Sequence, residues 1–382
     1  MLKIAVGHSN DPDSLEAVNE VLEQCQNSLS GEIPQAGILF AAFDFDHELI
    51  LHRINEVFPN IELIGGTTDG ELSSVLEFQL DSITLMLFCA DDIEIRAAVG
   101  RDVSKDPFAI AQQTIETAKQ AISAPLKFCI ATPESITTNS SAILNGLKSG
   151  LGSIPVFGGA TAAQRNGTSD YQFFKTEVLS DSVPILLFAG NVLFSHGIAG
   201  GWHPIGKRGV VTKVEGNTVY EIDSRPALEF YQYYFDTFAT DAAYPLAVFP
   251  PGEDKFFLRG SPTYDPELGS LRTSGEIPLN SVVQIAEAEQ ADILAASRTA
   301  FDRAWETYPG QEPAAALIFS CCWRRWILGS RISQEYEDIA RSLHQKLEIC
   351  GFYTYGEIAP MQENGQSFFH NITFVTLLLG NR

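Results

Sequence analysis

The chain has 382 residues, 45% of them apolar, enough for two or three domains with cores of their own. A formal net charge of −23, from 48 acidic against 25 basic side chains, argues against nucleic-acid or anionic-membrane partners. The longest apolar runs, such as "ITLMLFCA" (83–90) and "FVTLLLG" (374–380), are too short to span a bilayer, so no membrane insertion is expected.

In chain order, "KIAVGHS" (3–9) reads as a strand and "DPDSLEAVNEVLEQC" (11–25) as a helix. Leu15, Val18, Leu22, Cys25 and Leu29 form its apolar stripe. A strand at 36–43 follows, then a helix at 46–58 with Asp46 as its cap, then "IELIGGTTDGELSS" (61–74) and an apolar run at 82–88. The same order returns. Strand 95–102 leads into helix 106–122, with Phe108, Ala111, Ile115, Ala118 and Ile122 on one face. Strand 126–132, helix 139–151 capped by Asn139, "IPVFGGATAAQR" (154–165) and an apolar run at 182–188 complete the passage.

Residues 193–280 differ and read as a mixed, mostly β insert. Gly216-Asn217 is a hairpin signal, and "DSRPALEFYQYYFDTF" (223–238) reads as a helix with Ser224 at its cap. A third passage then begins with strand "VVQIAEA" (282–288) and helix 291–305. It continues with strand 315–321, helix 333–347 capped by Ser333, "LEICGFYTYGEI" (347–358) and apolar run 371–379.

Across the three passages Gly65, Gly158 and Gly351 align, as do Thr68, Thr161 and Thr354. Gly70-Glu71 falls on Gly356-Glu357, with Ala163-Gln164 in the middle copy. The pattern is a threefold internal repeat of βαβαββ units, at about 3–93, 95–192 and 282–381, in an α/β (α+β) protein. That element order resembles chorismate-mutase-like and YjgF-like subunits, which assemble as trimers with ligand clefts between protomers. The resemblance implies a pseudo-trimer within one chain.

"GGTTDGE" is not a nucleotide loop, because Glu71 stands where a phosphate loop needs Lys, and a strand follows rather than a helix. Thr68 and Glu71 remain candidate ligand contacts, against the simpler reading of a turn in which Thr and Asp bond their own backbone. The third copy is chemically richest, with Cys321, Cys322, Arg324, Arg325, Tyr353, Thr354, Tyr355, Glu357, His370 and Asn371 near strand ends. Arg324, or Arg325 beside it, could fork a carboxylate and Glu357 could hold an amine, with Tyr353 or Tyr355 against the body of a zwitterion. The simpler readings are a buried Cys321, a locally bonded His370, and a Trp202 in the core rather than lining a pocket. If the cleft is catalytic, Cys321 is the nucleophile and Glu357 or His370 the base. A third reading is a scaffold. The six cysteines form no C-x-x-C pair and read as reduced thiols of a cytoplasmic protein; seven dispersed His and no cofactor motif give no metal and no cofactor expectation.

"LIGGTTDGELSS", "GGWHPIGKRGVVTKVEGNTVYEIDSRPALEFY", "FSCCWRR", "GFYTYGEIAP" and "FHNITFV" together resemble the FIST family of bacterial intracellular sensory proteins. The resemblance implies a FIST N-terminal domain at 1–192 and a FIST C-terminal domain at 193–382. It also implies a signal-input module for small ligands, amino acids among them. No segment reads as a signalling output domain, so a protein partner is expected to carry the signal.

Overall fold

The computed structural model describes residues 2–164, 169–235, 243–260 and 263–381. Three six-stranded mixed sheets and one eight-stranded antiparallel sheet make up its β-structure. The first sheet runs Lys3–Ser9, Ile83–Cys89, Ala36–Ala41, Glu62–Thr67, then the hairpin Gln172–Phe174 and Glu177–Leu179. The second runs Ile93–Arg101, Ser182–Gly190, Leu126–Ala131, Val156–Gly159, then the hairpin Glu357–Pro360 and Ser367–His370. The third runs Leu193–Ala199, Phe374–Gly380, Ala315–Cys321, Glu348–Thr354, then the hairpin Glu71–Ser73 and Glu77–Gln79. In each sheet, therefore, the outer hairpin is supplied by a segment whose own neighbours build a different sheet.

Helices cover the outer faces. α1 (Ser14–Leu29) and α2 (His47–Val57) pack on the first sheet, α3 (Pro107–Lys119) and α4 (Ser140–Leu151) on the second. Asp13 starts α1 by accepting from the amides of Leu15 and Glu16, while Asp46 and Asn139 cap α2 and α4 as expected. In the insert lies α5 (Ala227–Gln232), preceded by Pro226 rather than capped by Ser224; residues 236–242 of the expected helix lie outside the described residues. α6 (Gln290–Glu306) and α8 (Gln334–Ala340) cover the third sheet, and between them α7 (Cys322–Leu328) leaves the end of Ala315–Cys321 directly.

The inner faces of all three sheets meet in one apolar centre. Phe40 stacks on Phe352 at 4.2 Å and Phe128 on Phe188 at 4.5 Å, so rings from the first and third sheets, and within the second, lock face to face. Each such buried ring contributes about 1.5–3 kcal/mol by leaving water. Parallel pairing of the two middle strands puts Leu39 opposite Gly65, Ala131 opposite Gly158 and Ile318 opposite Gly351. A Cβ on those glycines would lie 1.8, 2.0 and 2.4 Å from the facing carbonyl oxygens, so only glycine allows these strands to close.

Several expectations are corrected. Val282–Glu287 does not open the third six-stranded sheet; it lies between Leu246–Phe249 and His203–Glu215 in the eight-stranded sheet. The edge strand of the third sheet is Leu193–Ala199, paired with Phe374–Gly380. These residues are expected in the insert from their sequence; Gly197 is needed because the carbonyl of Ala300 on α6 sits 2.0 Å from where a Cβ would be. The insert is thus entered just after that edge strand. Its Gly216-Asn217 hairpin forms as expected, with Glu215 opposite Thr218. Leu15 and Phe108 are exposed, because Ala17, Val21 and Thr114 rotate the buried stripes of α1 and α3 away from them. The expected helix 333–347 shrinks to Gln334–Ala340 and Ser333 makes no side-chain cap, since a 3-10 turn at Gly329–Arg331 feeds into it.

Gly158→Ala tests the close strand approach. With φ +139° and the carbonyl of Ala131 in the way, it should cost about 3 kcal/mol or more in urea unfolding. Gly152→Ala, at φ +66° with open space around it, should cost about 1 kcal/mol.

Candidate functional site

The three glycine-rich segments are spent on one another. The amide of Ala162 donates to the carbonyl of Thr67 (2.8 Å), that of Asp69 to Tyr353 (2.9 Å), and that of Ala160 to Gly356 (2.8 Å). In the first and third turns a threonine hydroxyl closes the backbone: Oγ1 of Thr354 accepts from the amide of Gly356 at 2.8 Å and that of Thr68 from Gly70 at 3.3 Å. The same hydroxyls donate to Glu357 and Glu71. Both carboxyls are fully buried rather than at a cleft lip.

Around Glu71, Ser82 Oγ donates to Oε2 (2.6 Å), and His8 bridges Ser73 Oγ (2.7 Å) and Ser82 Oγ (2.9 Å). Burial pushes the Glu71 carboxyl up to about 8 and the His8 imidazole down to about 3. Glu357 accepts from the amide (3.0 Å) and hydroxyl (2.8 Å) of Thr373, and burial holds it well above the usual carboxylate range. Both glutamates are enclosed and hydrogen-bonded within the protein, so neither stands at a cleft to meet a ligand amine as expected for a zwitterion site.

The carboxylate end is also elsewhere than expected. Arg324 is fully buried: Nη2 donates to Glu335 Oε1 (2.7 Å), Ser297 Oγ (2.7 Å) and the carbonyl of Ile293 (2.8 Å). Tyr353 joins this cluster by donating to Glu335 Oε2 at 2.6 Å. Arg325 forks onto Asp69 Oδ2 at 2.7 and 2.8 Å, where Trp326 Nε1 also donates at 3.0 Å. Thr354 and Glu357 stay inside the turn. His370 Nε2 bonds the carbonyl of Ala359 at 2.9 Å, and burial lowers its imidazole to about 4. It lines a different hollow, shared with Trp202, which packs in the core against Leu258 and Ile293. Charged types that the sequence suggests for a rim are here internal struts.

Four of the expected residues do come together. Cys321, Cys322, Tyr355 and Asn371 line a cavity of about 630 Å³ between the third sheet, the segment 135–141 and the insert. Trp323, Trp326 and Phe369 supply aromatic wall; "SITTNSS" (135–141) and "RTSG" (272–275) face each other with hydroxyls and amides. Asn139 Nδ2 donates to Glu276 Oε1 of the insert at 2.6 Å and ties the two sides together. Asn371 Oδ1 accepts from the buried Arg259 at 3.2 Å, which orients its amide. Among the described residues lining the cavity, Arg272 is the only charged one.

Cys321 ends its strand and precedes the first turn of α7. Burial alone would raise its thiol, but hydrogen bonds to the sulfur from Cys322, the amides of Trp323 and Ile372, and Glu357 bring it below the ordinary value. Burial and the adjoining Cys321 raise Cys322. Sequence reasoning missed 135–141, Arg272, Trp323 and Trp326. The one available signal was the density of Ser, Thr and Asn before α4, read only as a helix cap.

The result is an α/β protein with a walled cavity of small-molecule size. It belongs to the FIST family: the FIST N domain matches residues 35–225 and the FIST C domain residues 227–360. FIST domains are sensory, small-ligand-binding domains of signalling proteins. The chain is 21% identical over 396 residues to uncharacterized protein Mb0898c of Mycobacterium bovis, with 97% of each covered. It is 30% identical over 106 residues to uncharacterized protein MJ1623 of Methanocaldococcus jannaschii, covering 28% of this chain and 19% of that one. Among solved structures it is similar to a chorismatase (TM-score 0.39, 10% identity, 99% of this chain and 98% of the other). It is also similar to a cyanuric acid hydrolase from A. caulinodans (TM-score 0.41, 8% identity, 100% of both).

Two outcomes follow from the buried charges. The folded-state value of Glu71 lies above the ordinary 4.5, so its neutral burial costs nothing below that pH. The cost grows as the unfolded chain ionises and is complete near pH 8. Glu71→Gln should therefore gain a few kcal/mol of stability relative to wild type between those limits, read from denaturant melts across pH. Arg324→Met, which strands Glu335, should cost about 3–5 kcal/mol in the same assay.

Proposed function

We propose that this FIST protein is a receptor for a small organic carboxylate, held in the cavity between the insert and the Cys321 turn. One observation carries the reading. In a chain of net charge −23, the described residues lining this cavity include one cation, Arg272, and no carboxylate. Such a lining favours an anionic group with a flat or apolar body, the latter against Trp323, Trp326 and Phe369. An amino acid, the class implied by the family, would enter through its carboxylate, with its ammonium met by carbonyls and hydroxyls of 135–141. Four residues expected to bind the ligand, Arg324, Tyr353, Thr354 and Glu357, are instead bonded within the protein and are not among the residues lining the cavity.

The wider reading is a pseudo-threefold of βαβαββ units, in which the third unit is split by the insert. The common strand order of the three six-stranded sheets supports it. The ligand then lies beside the insert, and occupancy is reported through the Asn139–Glu276 link to a protein partner. Six free cysteines fit a reducing compartment such as the cytoplasm. A cysteine-dependent enzyme on a small polar substrate is less well supported, because Glu357 is enclosed by Thr354 and Thr373 and His370 lines a different hollow.

Thermal unfolding with the twenty amino acids, benzoate and phenylacetate tests the receptor. At least one carboxylate should stabilise the protein by about 2.7 kcal/mol at a hundredfold excess over its Kd. Arg272→Ala should abolish the effect. No stabilisation by any of these, or equal stabilisation of the variant, overturns the reading.

A further inference from the structure

We propose a second small-molecule site, separate from the cavity beside Cys321, that takes an uncharged aromatic carboxamide. It occupies a cavity of about 750 Å³ between the edge strand Leu193–Ala199, the insert and the hairpin of residues 357–370. The observation behind it is Trp202. Its side chain lines the cavity and is 3% exposed, yet its indole Nε1 has no hydrogen-bond partner among the described residues. A buried donor left unsatisfied is destabilising. Kept in that state beside a hollow of small-molecule size, it points to an acceptor brought by a ligand.

Two imidazoles supply the complementary half. His196 and His370 line the same cavity, and each bonds a backbone carbonyl through Nε2, that of Pro360 at 3.1 Å and that of Ala359 at 2.9 Å. A carbonyl only accepts, so Nε2 carries the proton in both rings. Burial lowers both imidazoles, His370 to about 4, so near neutral pH each ring is uncharged and its Nδ1 is a bare acceptor. Among the described residues neither Nδ1 makes a hydrogen bond. The cavity therefore offers one donor and two acceptors, the inverse of a primary carboxamide with its one carbonyl and two N–H groups. Phe256 and Met361 add apolar wall for a ring. At the exposed mouth Lys255 and Arg303 are balanced by Asp254 and Glu363, so no net charge selects an ion. The wall is also held in place, since the carbonyl of Gly200 accepts from Arg324 Nη1 at 2.5 Å and fixes the backbone just before Trp202.

Calorimetry of the full chain with benzamide, nicotinamide, N,N-diethylnicotinamide and nicotinate tests the site. Benzamide or nicotinamide should bind. N,N-diethylnicotinamide, which lacks amide hydrogens, and nicotinate, which is charged, should each bind at least about tenfold more weakly. Trp202→Phe keeps an aromatic ring, removes the N–H and should weaken the amide about tenfold, with circular dichroism to check the fold. Should that variant not fold, wild type carries the same test: its Trp202 indole resonance in a nitrogen–proton correlation spectrum should move downfield as the amide is added. Benzoate, the probe of the cavity beside Cys321, should not compete. Failure of both amides to bind, equal binding of the diethyl or the anionic analogue, unchanged affinity in folded Trp202→Phe, or an unmoved indole resonance overturns the proposal. Competition by benzoate overturns the separation of the two sites.

Discussion

Each six-stranded sheet is finished by a hairpin that another part of the chain provides, and the geometry elsewhere follows from that exchange. The strand before each crossing hairpin pairs in parallel with its neighbour. Gly65, Gly158 and Gly351 make that approach sterically open. The turns beyond these glycines are then occupied by their own closure, with Thr68 and Thr354 hydrogen-bonded within them and Glu71 and Glu357 buried behind. The hollow of small-molecule size forms further out, where the insert leans against the end of Ala315–Cys321.

Charge is distributed with equal economy. The acidic excess belongs to the surface as a whole, while inside the protein a fully buried Arg324–Glu335 pair is satisfied by Ser297, Tyr353 and backbone carbonyls. A pair of this kind adds little net stability compared with apolar packing, but it is costly to break, so it fixes one arrangement of α6, α7 and α8. Arg325 and Trp326 do the same between α7 and the Asp69 turn. With these groups committed internally, none of them lines the cavity except Trp326, which does so while bonded to Asp69.

The alternation of strands and helices, the aligned glycines and the mostly β insert could all be read from periodicity and turn residues. The exchange could not. Its hairpin strands, such as Glu71–Ser73 and Gln172–Phe174, are three residues long, too short to carry a period, and their partners lie far away in sequence. Leu193–Ala199 reads as part of the insert, yet its Gly197 repeats the feature of Gly7 and Gly100, each pressed against a covering helix. For the site, Cys321, Cys322, Tyr355 and Asn371 were legible because they stand at strand ends, which the topology gathers. Arg324 and Glu357 misled because a charged side chain gives no sign in sequence of being wholly internal.

The lent hairpins have a consequence for biosynthesis. Phe374–Gly380 sits inside its sheet, between Leu193–Ala199 and Ala315–Cys321. Until Glu348–Thr354 emerges from the ribosome, the hairpin of residues 71–79 has no docking edge, and the second sheet lacks the strands of residues 357–370. The two matched family segments are therefore not separable folding units: a fragment ending near residue 225 would expose sticky sheet edges. Nascent chains of this architecture are natural clients for chaperones that shelter unpaired strands.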